Sequence, residues 1–388
     1  MSMTNSLEPA RVKTRQQTVG LVDKKTYTYR FVNQGAAMIH HRIHRARMLR
    51  GLSLEALANS LGDISKQALN KFEKGDSKPN STRILQLAKA LDVKPEYFFR
   101  SDAIQLAPLE FRKLSKMSQT RQASVREKMH DHLERYEALE RCFDADTTVQ
   151  VLPAQSLVVA NAQEAEIAAQ QLREQLQIGQ DAIAHLTELL EDNGIKVALL
   201  DGPDDFDGAC AATHDNQHVL IALNCQRPGE RMRFTAAHEL GHWVMALPED
   251  MSEKDKEGCC HRFAGAFLYP QSRVLQDFGS HQRSRVYSAE LLNAKRRYGV
   301  SMQVALRRLK DLSLLSDPGY MSAMIEFSRK GWRKVEPEML ACEHPRRFES
   351  LVYRGLAEDL FTPSRAAEFL QCSLDELDPK LDRLPALA

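Results

Sequence analysis

The chain has 388 residues, of which 43% are hydrophobic and 27% are charged, a composition that argues against wholesale disorder and, at this length, favours two or three domains. No apolar run reaches the ~18–20 residues that cross a bilayer, the N-terminal stretch lacks the apolar core of a secretory signal, and seven cysteines, an odd number, do not indicate a disulfide framework. We therefore expect a cytoplasmic protein with no membrane segment.

The net charge of +1 conceals an asymmetry along the chain. Residues 1–100 contain 18 of the 53 basic and 8 of the 52 acidic residues, a net charge of +10, which leaves a net charge of −9 for the rest. A basic domain attached to an acidic remainder is expected when one domain binds a polyanion such as DNA. A chance fluctuation of surface charge is the alternative.

Residues 1–35 show no clear period and are predicted to form an N-terminal arm. Between Ala36 and Arg100, apolar residues recur at helical spacing. Glycine and proline interrupt this pattern, and the interruptions predict five short helices, at about 36–50, 53–61, 65–74, 81–91 and 95–99.

Residues 53–74 predict two helices joined by a tight turn at Gly62-Asp63. With Leu69 and Phe72 facing inward, the second helix presents polar side chains that suit base edges in the major groove. These side chains are Lys66, Gln67, Asn70 and Lys71. Basic side chains nearby are predicted to contact phosphates, among them Arg42, Arg45, Arg47, Lys74 and Lys78. A helical bundle used only for protein contacts is the alternative, against which the local charge argues.

This segment resembles the XRE (Cro/C1-type) helix-turn-helix family over about 38–99. The resemblance rests on R-G-L-S-x-E-x-L-A at Arg50–Ala58 and I-S-K-Q-A-L-N-K-F-E-K-G at Ile64–Gly75. Leu54 departs from the family, many of whose members carry a glutamine there. The resemblance implies a regulator that binds a double-stranded DNA operator, and a homodimer is expected because such proteins contact two half-sites.

Residues 101–150 are predicted to be a helical connector or dimer arm, because 109–143 combine many charges with helical apolar spacing that does not sustain a heptad. From about 151 the pattern is mixed, with helices predicted at 162–176, 182–193, 231–247 and 253–268 and strands at 195–200 and 218–224. The tail from about 289 is predicted to be largely helical. Its last part is interpreted as a packing or oligomerisation module, with a further DNA-binding element as the alternative.

The strongest chemical signal is His238-Glu-Leu-Gly-His242, which lies within a predicted helix. Residues four apart on an α-helix lie ~40° apart around its axis, so the two imidazoles point at one place, as a tetrahedral Zn²⁺ requires. Glu239 is placed to take a proton from zinc-bound water as a general base. Glu257, fifteen residues after His242, can return as the third ligand and leave one position for water.

His261 lies four residues after Glu257 on the same helix face and is predicted to orient a ligand or to bind the substrate carbonyl. An incidental surface pair of histidines is one alternative, and a structural zinc site that uses Cys259 and Cys260 is another. The lack of a second C-x-x-C pair favours these cysteines as buried packing residues. Weaker candidates for oxyanion support are Tyr269, Tyr287 and His281.

Residues 160–275 resemble the ImmA/IrrE family of metallo-endopeptidases. The resemblance rests mainly on the segments Glu230–His242 and Glu257–Pro270. It implies zinc held by His238, His242 and Glu257, with Glu239 as the base. The family commonly has Ala-Asn where this chain has Cys260-His261.

The sequence therefore predicts a multidomain chain with an all-α helix-turn-helix head, a helical connector and an α+β zincin-like metallopeptidase domain with a helical C-terminal extension. The predicted boundaries are 1–35 for the arm, 36–100 for the head, 101–150 for the connector, 151–320 for the peptidase domain and 321–388 for the C-terminal module. The family resemblance implies cleavage of a repressor-type protein to change transcription, and the chain itself is one possible substrate. The alternative is a repressor or antitoxin, from a toxin–antitoxin or prophage module, whose peptidase-like domain senses or binds a partner such as a toxin without proteolysis.

Overall fold

The computed structural model describes residues 39–100, 104, 106, 107, 117–143, 147 and 149–381. Its packing separates two compact units. One contains the described residues up to Ala46 and within Leu54–Ser101, and the other contains Arg47–Ser53 and the described residues from 102 onward. The predicted arm at 1–35 lies outside the described residues. Among the helices that the structure describes, each is too short or too polar to cross a bilayer.

The N-terminal part is built from short helical segments, as predicted. Residues 39–49 form α1, and the following segments are α2 (Leu54–Leu61), α3 (Lys66–Lys74), α4 (Ser81–Ala90) and a 3₁₀ helix at Pro95–Phe99. Leu57, Leu69 and Leu87 are fully buried, so α2, α3 and α4 share one small core. Burial of these leucines, rather than helix propensity, stabilises helices of this length.

Local capping fixes both ends of α3. The Ser65 hydroxyl accepts the N–H of Ala68 at 3.2 Å, which satisfies one of the free donors of the first turn. At the other end Gly75 has φ +79°, and its N–H donates to the carbonyl of Phe72. Because this left-handed conformation is easy only for glycine, the sequence ends α3 there.

The second unit contains two small sheets. Their strands are β1 (Leu157–Val158), β2 (Ile195–Leu200), β3 (Gly208–Ala212), β4 (Val219–Asn224) and β5 (Met245–Ala246). The larger sheet has the order β2-β4-β3, with β4 parallel to β2 and antiparallel to β3. Strands β1 and β5 pair in parallel. The predictions of β2 and β4 are confirmed, whereas β3 was not predicted because Gly-Ala-Cys-Ala-Ala lacks the β-branched and aromatic residues that indicate a strand.

Helices α5, α7 and α8 pack on the larger sheet. The helices of the second unit are α5 (Gln119–Glu140), α6 (Ala162–Gln175), α7 (Leu186–Asp192), α8 (Gly229–Val244), α9 (Glu253–Leu268), α10 (Gln271–Phe278), α11 (Ser288–Tyr298), α12 (Met302–Asp311), α13 (Asp317–Arg329), α14 (Arg347–Ala357), α15 (Pro363–Phe369) and α16 (Leu374–Leu377), followed by a 3₁₀ helix at Asp378–Leu381. Helix α8 packs on β3 and β4, and α9 packs against both α6 and α8. The predicted bounds of α9 are confirmed.

Helix α5 differs from the predicted connector at 101–150. Its residues Val125, Met129 and Leu133 are at most 1% exposed and pack on one face of the larger sheet, while Tyr136 and Leu139 pack against α14 and α15. Spacings of three and four residues place these side chains on one side of α5, so the pattern attributed to a connector is a core-facing stripe. The described part of 101–150 therefore belongs to the core of the second unit.

A buried carboxylate joins α7 to the start of α14. One oxygen of Glu191 accepts the backbone N–H groups of both Arg346 and Arg347 at 3.0 Å. Burial raises the pKa of Glu191 to about 7, against the opposing effect of these N–H groups and of the Arg347 charge. The folded protein therefore holds the proton of Glu191 more tightly than the unfolded chain does. This contribution to the free energy of unfolding is fully present below the ordinary carboxyl pKa and is lost as the pH rises toward 7.

We expect Glu191→Gln to become more stable relative to wild type between pH 5 and pH 8, by up to about 3 kcal/mol. Glutamine keeps the acceptor oxygen and removes the ionisation. The measurement is the free energy of unfolding in urea of both proteins at each pH, because the difference between them cancels groups that titrate in both. A difference that stays constant with pH would contradict the raised pKa.

Candidate metal centre

Helix α8 carries both histidines of the His-Glu-Leu-Gly-His motif. The Nε2 atoms of His238 and His242 lie 3.3 Å apart, with their ring centroids at 4.9 Å. Residue His238 is 6% exposed, so it forms the floor of the site, while the His242 side chain is 22% exposed. One turn of helix thus aims two nitrogen donors at one point.

Helix α9 brings a carboxylate to the same point. The two oxygens of Glu257 lie 3.3 Å from His238 Nε2 and 3.4 Å from His242 Nε2. At the usual Zn–N and Zn–O distances, two ligand atoms of a tetrahedral site lie ~3.3–3.6 Å apart. The two histidines meet different oxygens of Glu257, and two imidazole nitrogens with one carboxylate are a donor set that suits zinc.

His261 lies beside these three residues. Its Nδ1 donates to the backbone carbonyl of Glu257 at 2.6 Å, which leaves Nε2 as the acceptor of the ring. A ligand atom of His261 lies within 4.8 Å of those of His238 and Glu257, and the His238 and His261 rings are 4.5 Å apart. His238 and Glu257 are common to both groupings, and His242 and His261 both lie near them.

Glu239 follows His238 on α8 and is 5% exposed. The ring of Phe234, one turn earlier, lies against both His238 and His261, with centroids at 6.4 and 5.9 Å. The carboxyl of Glu257 is 35% exposed. The site is therefore enclosed on the α8 side and reached from solvent near Glu257.

Close packing of α8 on α9 sets the distance between the histidines and the carboxylate. A Cβ at Gly241 would lie 2.9 Å from the Phe263 ring, and that ring is buried and stacked on Phe267 at 5.7 Å. Cys259 and Cys260 are also buried, as the packing interpretation expected. Glycine inside the motif therefore lets the two helices approach.

Replacing Gly241 with alanine should destabilise the protein by about 1–3 kcal/mol, because the buried ring has no room to move. Gly258→Ala is the matched control, since a Cβ there meets nothing within 4 Å and alanine favours a helix by up to about 1 kcal/mol. The free energies of unfolding of both variants check this. Equal stabilities would show that α8 and α9 tolerate a wider separation.

A buried ionic group fixes the other side of α9. The carboxylate of Glu166 on α6 accepts hydrogen bonds from Arg262 at 2.5 Å and from Arg308 at 2.5 and 2.6 Å. Burial alone would raise the pKa of Glu166, but the two guanidinium groups outweigh burial and hold this pKa below its ordinary value. No sequence pattern predicts this group, because Glu166, Arg262 and Arg308 lie far apart along the chain.

The predicted DNA-contacting residues of α3 lie mainly at the surface. Lys66, Gln67, Lys71 and Lys74 are exposed, and Asn70 is half-buried. Helix α3 therefore presents a polar face with three basic side chains. That these side chains contact DNA remains a prediction.

The phosphate-contacting role predicted for Arg45 needs correction. Arg45 is 8% exposed, and its neighbours Arg42 and Arg47 are 0% and 6% exposed. Arg42 donates to the carbonyl of Arg100 at 3.2 Å and lies over the ring of Tyr97. Long side chains can bury their stems in this way while the guanidinium binds a carbonyl, as Arg42 does and as Arg47 does with Leu52 at 2.8 Å.

The weaker candidates for oxyanion support are placed as follows. Tyr269 is fully buried, and its hydroxyl donates to Asp277 at 2.7 Å, so it is a packing residue. Tyr287 is 67% exposed at the start of α11, and His281 is also exposed.

Comparisons with known proteins agree with both resemblances. Residues 43–98 match the family model described as helix-turn-helix, and residues 190–310 match the model described as IrrE N-terminal-like domain. The second match includes β2–β4 and α8–α11, and thus the whole candidate metal centre.

Two curated relatives are similar to part of the chain, both from Sinorhizobium fredii (strain NBRC 101917 / NGR234). The uncharacterized HTH-type transcriptional regulator y4wC is 35% identical over 72 residues, which are 19% of this chain and 50% of the relative. The uncharacterized HTH-type transcriptional regulator y4aM is 34% identical over 61 residues, 16% of this chain and 42% of the relative. The chain spans about half the length or less of these relatives. One polypeptide thus contains a stretch that matches the helix-turn-helix family model and a stretch that matches the IrrE N-terminal-like family model.

Proposed function

We propose that this protein is a DNA-binding transcriptional regulator whose second unit is a zinc-dependent endopeptidase that cleaves a repressor-type protein. The observation that carries the proposal is the convergence of His238, His242 and Glu257: the two Nε2 atoms lie 3.3 Å apart, and each lies 3.3–3.4 Å from one oxygen of Glu257. Three protein ligands leave a fourth position for water or substrate, as catalytic zinc sites require.

The residues divide the chemistry among them. When bound, zinc would act as a Lewis acid that polarises a peptide carbonyl, and it would lower the pKa of water to ~7. Glu239 accepts the proton of the attacking water and returns it to the leaving amine. His261, held by its Nδ1–H bond to Glu257, offers Nε2 at the rim of the site, where it orients a ligand or contacts the substrate carbonyl.

The helix-turn-helix domain directs this activity to a double-stranded operator. Lys66, Gln67 and their neighbours on α3 contact base edges, and Lys74 contacts a phosphate. Because a repressor-type domain is present on the same chain, a second copy of this protein is one substrate to test. A cytoplasmic homodimer is the form in which two half-sites are bound.

The test compares two full-length variants with a transcriptional reporter and an operator-binding assay. Glu239→Gln should abolish induction and leave operator affinity unchanged, whereas the double variant Lys66→Ala/Gln67→Ala should lose operator affinity and keep proteolysis. Induction that survives Glu239→Gln would overturn control by proteolysis.

The position of His261 favours a second candidate function, a repressor or antitoxin whose IrrE-like domain binds a partner, such as a toxin, without proteolysis. If His261 supplied a fourth ligand, the site would be closed in the manner of structural zinc. His261→Asn, which introduces the residue common in the family, distinguishes the two functions. The peptidase proposal expects zinc content and hydrolysis to persist, and the alternative expects zinc affinity to fall in a protein that never cleaves.

A further inference from the structure

The segment between α13 and α14 lies across the start of α8, and we call its residues 336–343 the strap. The strap runs without helix or strand, and main-chain bonds hold it, since the N–H of Gly229 donates to the carbonyl of Leu340 at 3.1 Å. A Cβ at Gly229 would lie 2.1 Å from the carbonyl oxygen of Ala341, so the two backbones are in direct contact. The N–H of Leu340 also donates to Glu230, in the first turn of α8, at 3.0 Å.

Carboxylates anchor both ends of the strap. Glu343 accepts the N–H of Thr187 at 2.8 Å and forms an ion pair with Arg233 on α8. At the other end, Glu336 accepts the ammonium group of Lys295 at 3.1 Å. A further bond formed between these two anchors would fix the strap to the helix that carries the candidate metal centre.

Two thiols lie close together where the strap passes the end of β4. The S–H of Cys342 donates to the carbonyl of Arg227 at 3.3 Å. Cys225 stands two residues before Arg227, in a turn in which the N–H of Arg227 donates to the carbonyl of Asn224 at 3.2 Å. Burial, and then the charge of Cys225, raises the pKa of Cys342, and one charge acts on another in this way only over a short distance.

The surroundings of the two sulfur atoms differ. The Cys342 thiol is engaged as a donor to a carbonyl, and its raised pKa keeps it protonated at neutral pH. The sulfur of Cys225 instead accepts a hydrogen bond from the side-chain amide of the exposed Gln226 at 3.9 Å. Because the thiolate is the nucleophilic form of cysteine and accepts hydrogen bonds, Cys225 is the thiol placed to react first. Both cysteines are half-buried, so a small oxidant can reach them.

We propose that Cys225 and Cys342 form a reversible disulfide on exposure to hydrogen peroxide, and that this bond locks the strap onto the start of α8. The Cys225 thiolate attacks one oxygen of the peroxide, the O–O bond breaks, and hydroxide leaves as Cys225 becomes a sulfenic acid. The Cys342 sulfur then attacks the sulfenic sulfur, and the S–S bond forms while the hydroxyl group leaves with the S–H proton as water. Two electrons have passed from the sulfur pair to the peroxide, and a dithiol reverses the reaction by exchange.

The disulfide would close a loop that contains α8 to α13, and thus both helices of the candidate metal centre. Closing a long loop stabilises the folded state by restricting the unfolded chain. We therefore expect the oxidised chain to melt about 5–10 °C higher than the reduced chain. A transient bond of this kind is the form that disulfides take in reducing compartments.

The test treats the purified full-length chain with hydrogen peroxide and analyses a non-reduced tryptic digest by mass spectrometry. Trypsin places Cys225 in the peptide 197–231 and Cys342 in the peptide 335–346. We expect these two peptides to be cross-linked, and dithiothreitol to separate them. Because the first peptide also contains Cys210, Cys210→Ser is the matched control. It should keep the cross-link, whereas Cys225→Ser should lose it.

Trapping the intermediate distinguishes the roles of the two thiols. Cys342→Ser leaves the sulfenic acid of Cys225 without the thiol that resolves it, so dimedone, which labels sulfenic acids, should modify Cys225. Cys225→Ser should leave Cys342 unlabelled at the same peroxide concentration, and its melting temperature should not rise on oxidation. Labelling of Cys342 instead of Cys225 would overturn the assigned order of attack.

Three further results would overturn the inference. They are a peroxide-treated wild type without the cross-link, a cross-link that survives Cys225→Ser, and a cross-linked chain that melts at the same temperature as the reduced one. None of these measurements requires hydrolysis of a peptide bond. A chain that never cleaves a protein but forms the cross-link supports this inference and contradicts the peptidase, and the reverse result contradicts this inference alone.

Discussion

Glu239→Gln should slow peptide hydrolysis by about 10²- to 10⁴-fold while one zinc ion stays bound per chain. Glutamine has nearly the shape of glutamate, which matters at a position that is 5% exposed, but it cannot accept a proton. The three donors from His238, His242 and Glu257 are unchanged by the substitution. The measurement pairs cleavage of fluorescein-labelled casein, and of the chain itself, with zinc content by mass spectrometry.

Glu249→Gln is the matched control, because Glu249 is exposed beyond the end of α8. It carries the same change of charge, and we expect it to cleave at the wild-type rate. Two results would contradict the assignment of Glu239. Hydrolysis at the wild-type rate in Glu239→Gln would exclude it as the base, and loss of zinc would make it a ligand.

Lys295→Met should lower the free energy of unfolding by about 3–5 kcal/mol, the cost of leaving buried charges unpaired. The ammonium group of Lys295 is fully buried and donates to Glu230 at 2.7 Å and to Glu336 at 3.1 Å. Glu230 lies in the first turn of α8 and also accepts the N–H of Leu340 at 3.0 Å. Without the lysine, two buried carboxylates would face each other beside the helix that carries the metal centre.

The control is Lys334→Met, at an exposed position, where we expect a change within about 0.5 kcal/mol. Lys295→Met/Glu336→Gln removes one of the two carboxylate charges and should recover part of the loss, because glutamine keeps one of the two oxygens that accept the backbone N–H groups of Met302 and Gln303. Urea unfolding of the four proteins checks both expectations. A small effect of Lys295→Met would mean that the carboxylates are protonated or hydrated in the folded protein.

The candidate metal centre was predictable to the extent that it is local. The spacing of His238 and His242 within one helix fixes their convergence, and the bounds of α9 follow from Ser252 as N-cap and from the proline at 270. The approach of Glu257 depends on how α8 crosses α9. The packing of Gly241 against Phe263 sets how closely the two helices cross. The spacing of apolar residues in the sequence does not predict this contact. The sequence offered Glu257 as a third ligand by its place on the next helix, and the family resemblance implied the same residue.

The predictions for Arg45, for the connector and for β3 failed for one physical reason. Charge and apolar spacing in a sequence do not show which other residues a side chain packs against. Arg45 looks like a surface cation in the sequence but is buried. The apolar stripe of α5 fits a connector or a core face equally well until the sheet against which it packs is known. Strand β3 consists of small residues and is defined by its neighbours, so that only its pairing with β4 identifies it.

Metal analysis of the purified full-length chain after zinc loading tests the central claim most directly. We predict one tightly bound zinc ion per wild-type chain, and substoichiometric zinc in both His242→Ala and Glu257→Ala, with the folded state of each verified by circular dichroism. Wild-type protein that retains no zinc, or equal zinc contents in all three proteins, would contradict a metal centre built from these two helices.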